Sequence, residues 1–196
     1  MYKLRMESGP EAVREDLALA QRAAQDRATA EDLLLRLLPK LRRAVRILAK
    51  NRQEADDLLN KTLLAVFESF GSFKGKGSLE AWAGRIAFNT VIRHKQRNRM
   101  VSAVMVSSDL SHAVASSNPE RDAQTAQLRE KLTSALRDLP AERRNALVLR
   151  LIFGHSIEEI GQLTGAPVNT VRGRLRVGLK ELRQDLAGQR DILAAR

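Results

Sequence analysis

Between Arg172 and Arg183 a basic residue recurs about once per helical turn, at Arg172, Arg176, Lys180 and Arg183. Side chains at that spacing share one helix face. A row of guanidinium groups can grip phosphates, and a forked donor also matches the O6/N7 edge of guanine. On the other side Val171, Leu175, Leu179, Leu182 and Leu186 form one apolar stripe. The element that must position this face lies just upstream. Ser156 with Glu159 three residues on makes a capping box, and Ile157, Ile160 and Leu163 follow at helical spacing. Gly165 can take the left-handed conformation that ends a helix, and Pro167 is tolerated only at the start of the next. Helix, tight turn and helix with a basic outer face make the form of a DNA-reading helix-turn-helix. A basic solvent face is also ordinary on a soluble helix, so the pattern needs support. Gly173 and Gly178 lie inside the second helix, where each costs about 1 kcal/mol relative to alanine. They mark either an approach to an external surface or tight packing within the domain.

Charge supplies the support. The 196 residues carry 34 Lys+Arg against 23 Asp+Glu, a net +11, with a pI near 10.8. That balance points to a polyanionic partner, nucleic acid or an anionic membrane surface. A hydrophobic content of 43% is enough for a folded core in one domain or two small ones. No apolar run is long enough to span a bilayer, and the N-terminus lacks the basic-then-apolar order of a signal peptide. Cysteine is absent, which removes disulfides and thiolate metal sites and fits a reducing cytoplasm. His94, His112 and His155 are far apart in the chain, and neither a phosphate-cradling glycine loop nor a nucleophile–base arrangement is evident. The chain is therefore not expected to be an enzyme, nor to take a metal, a cofactor or a small-molecule substrate.

Apolar residues recur mostly at three and four, and strand signals are nearly missing, so the expected fold class is all-α. Helical patterning begins near Glu11 and resumes after Asp26-Arg27, with Leu34, Leu37, Leu38, Leu41, Val45 and Leu48 as a core face; Pro39 is expected to end or kink that helix. From Ala55 to Phe70 the stripe is Leu59, Leu63, Val66 and Phe70, backed by Leu58, Thr62 and Phe67. The stretch "GSFKGKGSLEAW" interrupts the helices, and Ser78 is the expected cap of a helix running through Trp82, Ile86 and Val91 toward Arg99. Its second half holds Arg93, Lys95, Arg97 and Arg99 and, from Arg85 onward, no acid. Residues 100–120 lose the helical period and read as a semi-flexible linker. Leu128, Leu132, Leu136 and Leu139 restart it, and Pro140 opens a helix whose face is Leu147, Val148 and Leu151. The expected division is a first domain over 1–99, a linker over 100–123 and a second domain over 124–196.

In this order the segments "AEDLLLRLLPKLRRAVRIL", "EADDLLNKTLLAVFESFGSFKGKGSLEAWAGRIAFN" and "LRDLPAERRNALVLRLIFGHSIEEIGQLTGAPVNTVRGRLRVGLKEL" resemble a bacterial RNA polymerase sigma factor of the extracytoplasmic-function (ECF) type. The helix-turn-helix alone is shared by many regulators. The succession Asp-Leu, Phe-x-Gly, Trp-x-x-x-Ile-Ala-x-Asn, linker, Leu-Pro, helix-turn-helix is far more specific. The resemblance implies a cytoplasmic initiation factor with a region 2 and a region 4. Its partners would be core RNA polymerase (the clamp helices of the largest subunit, and the flap), promoter DNA and an anti-sigma factor.

Residue by residue, the resemblance assigns polymerase docking to Asp57, Leu58, Asn60 and Leu63. Asp56-Asp57 would otherwise read as a solvated helix start favoured by the macrodipole. Capture of an unpaired base and reading of the −10 element fall to Phe73, Lys74, Lys76, Ser78, Trp82, Asn89 and Arg93. Seen alone, the loop is a surface turn and Trp82 a core residue. Reading of the −35 element falls to Asn169, Thr170, Arg172, Gly173, Arg174, Arg176 and Lys180. The chain departs from the family pattern at Asn60-Lys61, where Gln and an acid are common, and at Arg93, Gly173 and Val177-Gly178. Two other classes compete. A stand-alone helix-turn-helix regulator would account for the second half, but the first half lacks the βα alternation of a receiver domain. A basic RNA-binding or membrane-surface protein would rest on charge alone.

Overall fold

Four helix starts are capped by the side chain expected of a short polar residue before an apolar run. Asp26 accepts from the Thr29 amide at 2.9 Å, Asn51 from Glu54 at 2.8 Å, Ser78 from Ala81 at 3.1 Å and Ser156 from Glu159 at 3.1 Å. Each satisfies an amide that the helix itself leaves unpaired. The computed structural model describes residues 9–102 and 121–194. Its helices are α1 (Pro10–Ala23), α2 (Arg27–Leu48), α3 (Arg52–Ser69), α4 (Leu79–Ser102), α5 (Arg121–Asp138), α6 (Ala141–Leu151), α7 (Ile157–Thr164) and α8 (Val168–Ala194), with a 3-10 turn at Phe70–Ser72. No strand occurs among the described residues, so the fold is all-α. Most of the stretch read as a linker, residues 103–120, lies outside the described residues.

By spatial grouping the chain forms two units, Met1–Ser108 with Leu151–His155, and Asp109–Arg150 with Ser156–Arg196. In the first, α2 packs against α1, α3 and α4, and α3 also packs on α4. Its core holds Leu33, Leu37, Leu41, Val45, Ile47 and Leu48 of α2, Leu58, Leu59 and Val66 of α3, and Leu79, Phe88 and Val91 of α4. Two expectations are corrected here. Helix α2 runs unbroken through Pro39. An interior proline costs about 3 kcal/mol, yet each buried leucine on the same helix contributes roughly 1.5–3 kcal/mol, and several lie on each side. Pro39 itself is exposed. On α3 the buried line is Ala55, Leu58, Leu59, Thr62 and Val66, while Leu63 is half-buried and Phe67 exposed. The inward face is thus turned by about one residue from the predicted one, because α2 and α4 flank α3 and bury whatever lies between them.

In the second unit α5 and α7 pack on α8. Buried there are Leu136, Leu139, Leu147, Val148, Leu149, Ile160, Val171, Leu175 and Leu182. Leu128 and Leu151, predicted to share this core, are instead exposed, one near the start of α5 and the other at the last position of α6. Arg143 pairs with Glu181 at 2.5 Å, joining α6 to α8. Arg144 donates to the carbonyl of Arg137 at 2.7 Å and so occupies a free acceptor at the end of α5. Burial, and secondarily the charge of Arg137, pulls the pKa of Arg144 below the usual arginine value.

Candidate nucleic-acid interface

The helix-turn-helix is built by local rules. Ser156 and Glu159 form a complete capping box at the start of α7. Gly165 ends α7 at φ +64°, and the Ala166 amide returns to the Gly161 carbonyl at 3.0 Å. Pro167 directly precedes α8, its carbonyl accepting from the Val171 amide. The turn is tight. A Cβ on Gly161 would lie 2.9 Å from the carbonyl oxygen of Ala166, which belongs to the turn backbone and cannot rotate away. Gly161→Val is therefore expected to destabilise the full-length protein by about 1–3 kcal/mol. For a small unit that is a fall of roughly 4–8 °C in Tm per kcal/mol. Thermal unfolding followed by circular dichroism checks it, and an unchanged Tm would contradict the close approach.

Helix α8 then divides as its periodicity requires. Val171, Leu175 and Leu182 are buried, with Leu179 and Leu186 half-buried. Asn169, Thr170, Arg172, Arg176, Lys180 and Arg183 are exposed, while Arg174 is half-buried on the flank. The two glycines separate in role. Nothing lies within 4 Å of a Cβ built on Gly173, whereas one on Gly178 would meet Leu147 Cδ1 at 3.0 Å and Arg143 Cβ at 3.3 Å. Gly178 thus answers to packing against α6. Gly173 leaves the backbone bare beside Arg172 and Arg176, where another surface can come close.

The first unit carries a second exposed basic element. On α4, Arg85, Asn89 and Arg93 are exposed at successive i+4 positions, and Arg97 and Arg99 continue the exposed charge. Arg85 was not among the predicted site residues; its i−4 spacing from Asn89 was the available signal. His94, on another side of the same helix, approaches Glu54 of α3 at 3.2 Å.

The loop before α4 holds the remaining residues. Lys74 and Lys76 point to solvent, and Gly75 and Gly77 take φ of +64° and +90°. These left-handed positions, natural only to glycine, bend the chain sharply enough to present both lysines. Phe73 is only 4% exposed. It packs against Trp82 at 5.6 Å between ring centroids, and Phe70 stacks on Trp82 at 5.9 Å. Phe73 therefore anchors the loop from inside, Trp82 is half-buried, and Ser78 is engaged as the cap of α4.

The predicted docking residues lie on α3 but do not all share a face. Asp57 and Asn60 are exposed, Leu63 is half-buried, and Leu58 has no accessible surface. The residue that completes the exposed row is Leu64, 58% exposed and seven positions after Asp57, with Phe67 beyond it. An apolar residue on a solvent face has no period of its own, so only the structure singles it out. Among the described residues no group of three or more His, Asp or Glu side chains is placed to hold a metal, and no helix is long and apolar enough to cross a membrane.

The described residues thus hold a helix-turn-helix with an arginine-bearing outer face and, in the other unit, a second exposed basic helix, the kind of surface a DNA-binding protein presents. Comparison with known proteins identifies its family. Residues 33–100 match the model of sigma-70 region 2, and residues 129–182 match that of sigma-70 region 4. The chain is 31% identical over 166 residues to the RNA polymerase sigma factor CarQ of Myxococcus xanthus, covering 85% of this chain and 93% of CarQ. It is 32% identical over 146 residues to the ECF sigma factor EcfG of Rhodopseudomonas palustris, covering 74% and 77%. Identity to SigE of Mycolicibacterium smegmatis is 35% over 141 residues, a match spanning 54% of that longer protein. Among solved structures, sigma factor RpoE bound to the anti-sigma factor NepR from Bartonella quintana matches with a TM-score of 0.56 and 25% identity, covering 80% of this chain and 96% of RpoE. CnrH in complex with the cytosolic domain of CnrY shares the fold, with a TM-score of 0.58 at 23% identity. The chain belongs to the sigma-70 family and is a sigma factor of the ECF type, a transcription initiation factor. A stand-alone regulator is not favoured, because region 2 is present as well as region 4.

Proposed function

We propose that this protein docks on core RNA polymerase through the exposed face of α3, reads the −35 element with α8, and captures the opened −10 strand with the Phe73–Leu79 loop and α4. The division of labour follows the sequence boundaries, with residues 1–99 as region 2, 100–123 as linker and 124–196 as region 4, although α4 runs on through residue 102 and α5 begins at residue 121. The single observation that carries the reading is the coexistence of two exposed basic helices, each beside a glycine-bearing turn.

On α3 the contact surface is Asp57, Asn60 and Leu64, flanked by Leu63, and Leu58 supports it from within the core. The polymerase side would be the clamp helices of the largest subunit, with region 4 reaching the flap. The protein itself would catalyse nothing, RNA synthesis belonging to the polymerase, and would act in the cytoplasm where polymerase and DNA are. The anti-sigma factor bound to RpoE in the solved neighbour supports a similar partner here.

Reconstitution tests the reading. The protein is expected to bind core polymerase stoichiometrically and, from a randomised promoter library, to enrich templates sharing a −35 and a −10 motif. Leu64→Asp should weaken core binding about tenfold, since desolvating a carboxylate at an apolar contact costs more than 1.4 kcal/mol. Failure to bind core polymerase would overturn the proposal.

A further inference from the structure

The residue that fixes where the −10 loop ends lies on the first helix of the unit, distant in sequence but not in space. Asp16 of α1 is 5% exposed, although an isolated buried carboxylate is strongly unfavourable. Its two oxygens are both used. Oδ1 accepts from Arg36 Nη2 of α2 at 2.9 Å, and Oδ2 accepts from the backbone amide of Leu79 at 3.0 Å. Leu79 is the first residue of α4, so this carboxylate caps the helix that bears Asn89 and Arg93, from 63 residues away in sequence. The local cap, Ser78, serves the Ala81 amide instead. A negative charge at a helix N-terminus is also favoured by the macrodipole.

The same helix holds the middle of the loop. A Cβ on Gly75 would meet Leu17 Cδ2 at 3.3 Å and Val13 Cγ1 at 3.7 Å, so the loop backbone lies directly on α1. The third anchor is Phe73 against Trp82. With its start, middle and end each held, the loop leaves Lys74 and Lys76 as its outward groups. Helix α1 precedes the residues that match the region 2 model, which begin at residue 33.

We propose that α1 is a positioning element for strand capture, and that Asp16 is a positioning residue that sets the loop geometry for the unpaired base without touching DNA. The proposal rests on the reading of Phe73–Leu79 as the capture loop. A pocket for an extruded base must be in place before the base arrives, because binding has to offset a few kcal/mol of lost stacking and pairing. Slack in the loop would reduce discrimination at the captured base first.

The measurement is the affinity of holoenzyme for single-stranded −10 oligonucleotides, matched or substituted at each position in turn, alongside core binding and −35 discrimination. Asp16→Ala should reduce the penalty at one −10 position by about tenfold, the weight of one charge-assisted hydrogen bond. Core affinity and −35 discrimination should stay as in the wild type. Asp16→Asn keeps an acceptor for the Leu79 amide and loses the ion pair, so it should retain most of that discrimination. Leu17→Ala, which withdraws support from Gly75 and leaves the cap, should shift the same position in the same direction, and it decides the matter if Asp16→Ala does not fold. A uniform loss at all −10 positions would mean that Asp16 serves stability alone and would overturn the proposal. So would unchanged penalties in both Leu17→Ala and a folded Asp16→Ala. If a shortened loop also keeps every penalty, the capture reading itself fails; if it loses one that the α1 variants keep, only the role of α1 fails.

Discussion

Deleting two residues from the Phe73–Leu79 loop is expected to slow promoter opening by the reconstituted holoenzyme about a hundredfold, with −35 binding left intact. The physical ground is the cost of holding one base outside the stack, a few kcal/mol, which the protein must offset by contacts made only to the opened strand. A factor of one hundred corresponds to about 2.7 kcal/mol, within that cost. The deletion is placed between Phe73 and Ser78, so that the aromatic anchor and the α4 cap both survive. Asn89→Ala should act in the same direction with a smaller effect, since its side chain is exposed and supports nothing in the core. Opening is followed by permanganate reactivity of unpaired thymines or by the fluorescence of a base analogue in the −10 region. A pre-melted −10 bubble should recover part of the loss, because the unpairing cost is then already met by the template. Normal opening in both variants would remove the loop and α4 from the melting role.

Replacing both Arg172 and Arg176 by alanine should remove most −35 selectivity while leaving −10 opening on a −35-independent template unchanged. The two side chains are exposed and lie outside the buried line of Val171 and Leu175, so truncation spares the core. The single variants separate their roles. A bidentate arginine–guanine contact is worth roughly 1–3 kcal/mol of discrimination, whereas a phosphate contact weakens every sequence alike and lowers the salt slope by about one. At least one of the two should lose preference at a particular −35 position. Lys180→Ala, further along α8, should change the salt slope only. The open space beside Gly173 favours close approach at this end of the helix. Titrations of holoenzyme on −35 variants at several salt concentrations measure all three. If affinity, salt slope and preference are all unchanged, the basic stripe is a solvated face.

Much of this protein is written locally. The capping box at Ser156, the left-handed end at Gly165, the cap at Ser78 and the division of α8 into Val171–Leu175–Leu182 and Arg172–Arg176–Lys180 were all legible in the sequence. Each depends only on residues within one or two helical turns, where side-chain spacing and backbone amides meet without help from the rest of the chain. Tertiary structure decided the rest. It turned α3 so that Leu58 is buried and Leu64 exposed, because an apolar helix with Leu58, Leu59, Leu63 and Leu64 offers more than one inward face and the flanking helices select among them. It kept α2 continuous through Pro39, because burial along the helix exceeds the loss at one exposed turn. It assigned Gly178 to packing and left Gly173 open, a distinction that needs the position of α6. Phe73, read as a DNA contact, became the inner anchor of its loop. Asp16, which has no motif around it, became the cap of a helix 63 residues away. No period or spacing encodes such a bond; its partner exists only after α1, α2 and α4 have packed.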